Sequence, residues 1–234
     1  MSSSQAYSDF LASLELAESL LIIESAYPDP APPADRKAAE GLRGGAAVLM
    51  VAAFENYLKE LIEERLDELT RLPLKFKTDD VPRDMLFNNV EHLVKAATRK
   101  KSTAKVQAYA DMAKVIVAGV IYPASFTDAV RSNPNSEKLE ELFKRLGVRR
   151  FFETIKVDFD SLWGRPTAER FISDYLDGIL LRRHTVAHTA NALNIGRIDL
   201  KDSVSFLKAL GNVCDSHLDE HIKKILSPPS GSTP

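Results

Sequence analysis

Cysteine is nearly absent: Cys214 is the only one among 234 residues. That excludes an intramolecular disulfide and a cysteine-built zinc cluster. Cys214 lies in an apolar helical stripe and reads as a packing residue. A charge excess is missing too, since the net charge is −2. A chain so near neutrality does not hold polyanions by bulk charge, so any nucleic acid must meet a local patch. No stretch approaches the roughly 20 unbroken apolar residues that a membrane-spanning helix needs. Leu20-Leu21-Ile22-Ile23 lacks a basic leader, and Asp9, Glu15 and Glu18 interrupt the run before it, so it is not a secretory signal. These absences make the cytoplasm the expected compartment and exclude a membrane partner. Convincing strand signals and solenoid-period repeats are also lacking.

What is present is an ordinary globular composition, 44% hydrophobic and 27% charged, in a chain long enough for a substantial core. Phe10, Leu11, Leu14, Ala17, Leu21 and Ile22 recur at helical spacing over residues 5–25. Pro28, Pro30, Pro32 and Pro33 then force a break, and Asp35 caps a second helix that runs to Leu72, with Pro73 ending it. Residues 82–100 and 103–118 predict two shorter helices, parted by Arg99-Lys100-Lys101. Residues 119–135 read as a loop with one short extended piece. Ser136 caps a helix that Gly147 stops, and Arg149 to Trp163 fits neither period clearly. Pro166 precedes a helix over Thr167 to Ala190, and Asp199 or Asp202 opens a last one. The expected architecture is all-α: a four-helix bundle in one domain, residues 1–226. Residues 74–165 form a helical insertion between the second and penultimate core helices, and 227–234 form a disordered tail.

Chemistry concentrates in Leu180-Leu181-Arg182-Arg183-His184-Thr185-Val186-Ala187-His188. An arginine forks onto phosphate oxygens, and a histidine exchanges protons near neutral pH. With a 2′-hydroxyl as nucleophile, that pair is enough to break an RNA phosphodiester without a metal. On an ideal helix His184 and His188 lie about 40° apart, whereas Arg183 and His188 lie about 140° apart. Ile172, Leu176, Ile179, Arg183, Val186 and Ala190 also alternate in steps of four and three, so Arg183 occupies an apolar seam. A charge there needs a counter-ion. Either Arg183 pairs with an internal acid such as Glu55, or the seam is a subunit interface in which two motifs face each other.

Arg183-His184 followed by His188, before a turn and one final amphipathic helix, resembles the R-x4–6-H signature of HEPN domains. Val48 to Leu58, with Glu55 after Phe54, is similar to the second HEPN helix. The long middle region and Glu137 to Gly147 resemble the RiboL-PSP-like branch of that superfamily. The resemblance implies a metal-independent endoribonuclease without a cofactor, a homodimer with its cleft on the two-fold axis, and a toxin or defence role, with an antitoxin or other protein as partner. His188 would be the general base or acid, Arg183 would hold the phosphate, and His184 would position it. The products would be a 2′,3′-cyclic phosphate and a 5′-hydroxyl, and DNA would resist for lack of the 2′-hydroxyl. Because six-position spacing also occurs in the family, Arg182 is the alternative arginine.

Supporting roles are expected for Glu55 and for Asn191, which either reaches the cleft or caps the helix. Arg149, Arg150, Lys100 and Lys101 are candidate RNA contacts, although charge runs also serve as solvated faces. His184/His188 and His217/His221 repeat an i,i+4 spacing that suits a metal, but no acidic partner accompanies them, so no metal ligand is assigned. His217 and His221 read as solvent-side residues near a helix C-terminus. The competing reading is a non-catalytic HEPN-like module that dimerises and docks a protein.

Overall fold

The computed structural model describes residues 3–70, 81–99, 102–127, 134–189 and 195–227. Its helices are α1 (Gln5–Glu24), α2 (Arg36–Thr70), α3 (Arg83–Arg99), α4 (Ser102–Ala118), α5 (Ala124–Thr127), α6 (Ser136–Arg145), α7 (Phe151–Trp163), α8 (Phe171–Thr189) and α9 (Arg197–Leu226). No strand occurs among the described residues. The fold is all-α, as the periodicity predicts. The expected stop at Pro73 and the tail from 228 lie outside the described residues. None of the described helices is long and apolar enough to cross a membrane.

The scaffold is α1, α2, α8 and α9, with α2 in contact with the other three. Phe10, Leu14, Ala17 and Leu21 follow the i+3/i+4 rows of α1 and are all buried. Phe10 stacks on Tyr57 of α2 with ring centroids 4.6 Å apart, and the Tyr57 hydroxyl donates to the Gly211 carbonyl of α9 at 2.6 Å. Gly211 lets α1 pass close against α9. A Cβ there would stand 2.8 Å from Phe10 Cε1 and 3.2 Å from Tyr7 Cε2. Gly211→Ala is therefore expected to lower stability by roughly 1–3 kcal/mol through overpacking, despite alanine's better helix propensity. The urea midpoint, compared with that of Gly41→Ala, where nothing lies within 4 Å, measures it.

The middle of the chain divides. Phe143 of α6 and Phe151 of α7 stack at 3.6 Å, and Phe159, Trp163, Phe171, Tyr175 and Phe206 join α7, α8 and α9 in one aromatic cluster. Helices α6 and α7 thus share the main core. Helices α3 and α4 instead form a hairpin with a small second core, in which Ala97, Ala108 and Met112 are buried and Val90 and Leu93 pack against them, while Met85 at the start of α3 joins the main core.

Two buried ion clusters pin opposite ends of α9. Near its C-terminal half, Arg65 bonds Asp215 at 2.8 Å and Asp219 at 3.1 Å, and Asp215 also accepts the Ser4 amide at 2.9 Å. At its start, fully buried Glu24 receives Arg43 and Arg197, each at 2.6 Å. Burial alone would raise the Glu24 carboxyl, but hydrogen bonds from Arg197 and Arg43 outweigh it and hold the pKa below the usual range.

Several local readings need correction. The expected extended piece is absent from the described part of 119–135, where α5 is a short helical turn. Asn135, not Ser136, caps α6 by accepting the Lys138 amide at 3.0 Å. Ser136 instead donates its amide and hydroxyl to Asp177 of α8, at 2.8 and 2.7 Å. Helix α8 begins at Phe171, four residues after Thr167, because Thr167 is clipped to α7. Its hydroxyl donates to Asp160 at 2.6 Å, and Lys156 donates to its carbonyl at 2.7 Å. Gly196 rather than Asp199 or Asp202 precedes α9, and Asp199 falls within its first turn.

Candidate active site

Along α8 the burial pattern changes at the motif. Ile172, Leu176, Ile179 and Leu180 are buried, so the first half of the seam faces this chain's own core. From Leu181 to His188 no side chain is buried: Leu181, His184, Thr185, Ala187 and His188 are exposed, and Arg182, Arg183 and Val186 are half-buried. The last two turns of α8 thus present the motif at the edge of the bundle, with Val186 still packed against the main core. Ala190 and Asn191 lie outside the described residues.

His184 and His188 share a face as their spacing requires. Their ring centroids are 4.2 Å apart with planes inclined at 51°, and both rings are open to solvent. Two imidazoles so placed can serve one phosphodiester, one taking a proton while the other gives one. Arg183 leaves a different side of the helix, about 140° round from His188, with its Nε withdrawn from solvent. Glu55 is half-buried on α2, the helix against which α8 packs.

Arg182 is held separately. Its guanidinium lies 6.0 Å from the Tyr175 ring centroid and donates to the Ser203 hydroxyl of α9 at 3.4 Å. Ser203 donates in turn to the Asp199 carbonyl at 2.6 Å. The two adjacent arginines therefore differ in role: Arg182 ties α8 to α9.

The start of α9 is anchored from behind. Arg43 donates to the Ile195 carbonyl at 3.3 Å while also bonding Glu24, and Arg197 donates to the Tyr27 carbonyl at 2.7 Å. The Glu24 cluster thus fixes where α9 begins. Sequence reading missed this cluster, although a signal existed. Glu24 continues the buried row Leu14, Ala17, Leu21 at helical spacing, and a carboxylate in a core row calls for cations.

The outlying candidates do not gather at the motif. Arg149 is exposed and pairs with Asp84 of α3 at 3.0 Å. Arg150 pairs with Glu153 and starts α7 from a left-handed backbone, φ 56°. Lys100 and Lys101 lie outside the described residues. His217 and His221 are not solvent-side residues. His217 bonds Asp158 of α7 at 2.7 Å, and half-buried His221 bonds the Leu146 carbonyl at 2.7 Å. Burial holds His221 below the usual histidine range. Cys214 is buried, which pushes its thiol up and leaves it unreactive.

A model of the RiboL-PSP-HEPN family matches residues 11–220, from within α1 to within α9. The chain belongs to the RiboL-PSP-HEPN family. No curated protein and no solved structure matches it. The matched span includes Glu55, α8 with its arginine and histidines, and both ends of the middle region, so the motif sits inside a HEPN-type domain.

Proposed function

We propose that this HEPN-type protein is a metal-independent endoribonuclease acting as a toxin or defence effector. The observation that carries the reading is the exposed His184–His188 pair on the last two turns of α8, one residue on from a half-buried arginine, in a chain of this family. His188 exchanges the proton of the 2′-hydroxyl or of the leaving 5′-oxygen, His184 orients the phosphate, and Arg183 stabilises its developing charge. Arg183 and the histidines diverge on one helix. A homodimer that brings two α8 ends together supplies a convergent set, and the exposed Leu181 gives that contact an apolar element.

The deciding experiment incubates the purified full chain with mixed RNA in excess EDTA. The expected products carry 2′,3′-cyclic phosphate and 5′-hydroxyl ends, and an all-deoxy substrate stays intact. Cleavage abolished by EDTA and restored by a divalent ion overturns the mechanism. Absence of cleavage under all conditions favours the interaction-module reading.

A further inference from the structure

Helix α4 carries apolar side chains on both sides. Its inner side supplies Ala108, Met112 and Val115. Its outer side exposes Val106, Tyr109, Ile116 and Val117, with Ala110 and Ala113 between them. Its third side is polar, with Gln107 and Lys114 both donating to Asp111. The outer apolar stripe is thus a distinct exposed patch, and the only helix on which α4 packs to any extent among the described residues is α3. The connection from Arg99 to Ser102 makes the two an antiparallel hairpin. In that geometry Phe87 and Val94 of α3 fall on the same flank as Tyr109 and Ile116, and both are exposed.

The outer stripe has coiled-coil spacing: Val106, Tyr109 or Ala110, Ala113, Ile116 or Val117. It also reads almost the same in both directions, with bulky side chains at the ends and alanines at the centre. We propose that this face is a self-association surface, on which α4 pairs antiparallel with α4 of a second copy. A two-fold axis midway between Ala110 and Ala113 sets Ala110 against the partner's Ala113 and Val106 against the partner's Val117. The alanines permit close approach, and the valines close both ends of the seam. Charge selects the direction. Lys105 stands beside Val106 near the start of α4, one cation from each copy. Parallel pairing would stack these cations, whereas antiparallel pairing puts them at opposite ends of a helix about 25 Å long.

The area suits a second copy. At 45–78% exposure, Phe87, Val94, Val106, Tyr109, Ile116 and Val117 leave about 600 Å² of mostly apolar surface in water. Two copies covering it would bury about 1,200 Å², within the range of specific interfaces. This surface is distinct from α8, and the proposal does not rest on the nuclease reading.

Sedimentation equilibrium of the full chain tests it, with wild type, Val106→Glu/Val117→Glu and Leu181→Glu compared at equal helicity. The α4 double variant is expected to weaken self-association about tenfold or more, because each charge would be desolvated in the seam, while leaving RNA cleavage unchanged. Cross-linking gives a second reading, since buried Cys214 contributes no background. An oxidised mixture of Ala110→Cys and Ala113→Cys chains is expected to yield the mixed disulfide in preference to either homodimer. Assembly insensitive to the α4 double variant, a strictly monomeric wild type, or no preference for the mixed disulfide overturns the proposal. Flotation of monomeric wild type with anionic vesicles would reassign the face to a membrane surface and overturn it as well.

Discussion

Replacing His188 with alanine is expected to slow RNA cleavage in EDTA by about 10²–10⁴-fold, the span of a lost proton-transfer group. Its thermal midpoint should stay within a degree or two of wild type, because the ring is exposed on the last turn of α8 and fills no core space. Arg183→Lys should also impair cleavage. A single ammonium cannot reproduce the planar fork on a phosphate, and the half-buried site would then hold a more strongly hydrated cation. Arg182→Lys separates the two arginines, since Arg182 is engaged by Ser203 and the Tyr175 ring. It should loosen α8 against α9 and cost less activity than Arg183→Lys. A His188→Ala protein that cuts RNA at the wild-type rate would remove the catalytic assignment.

Glu24→Ala is expected to destabilise the fold by about 3–5 kcal/mol, the most of any surface-distant single change considered. The side chain is fully buried, and its loss leaves Arg43 and Arg197, only 12% and 17% exposed, without their shared carboxylate. Glu24→Gln keeps the shape and some hydrogen bonding but not the charge, so it should fall between wild type and alanine. The pH dependence follows from the depressed Glu24 pKa. A carboxyl that is more acidic when folded adds stability that is complete above its unfolded value near 4.5 and fades as pH falls through the folded value. Chemical denaturation at pH 7 and pH 3 should therefore show a smaller gap between wild type and Glu24→Gln at the lower pH. A gap that widens on acidification would show that the carboxylate is not the stabilising form.

The helices were legible where one face is buried and the other wet, as in α1, α6 and α9, because a 3.6-residue period needs no knowledge of the partner. Element starts were less legible. Asn135 and Ser136 are both competent caps, and the choice was made by Asp177, 41 residues away, which took the serine. Thr167 would have opened α8 had Lys156 and Asp160 not clipped it to α7. In the motif, the spacing of His184 and His188 was enough to place both rings on one face. It was not enough to show that full burial ends after Leu180, since that depends on what the neighbouring helices cover. Glu24 was visible as an acid in a core row, but neither arginine could be assigned to it, because both come from distant segments. For His221, a helix C-terminus suggested solvent, whereas the end of α6 covers it.

The division of the middle region into a shared core and a satellite has an evolutionary consequence. Helices α6 and α7 supply aromatic rings to the same interior as the motif helix, so their sequences can drift only in step with α8 and α9. The outer face of the α3–α4 hairpin is under less constraint, since among the described residues α4 packs to any extent only on α3, and Val106, Tyr109, Ile116 and Val117 are all exposed. Descendants of this chain are free to redraw the outer face of the hairpin while the motif on α8 passes on unchanged.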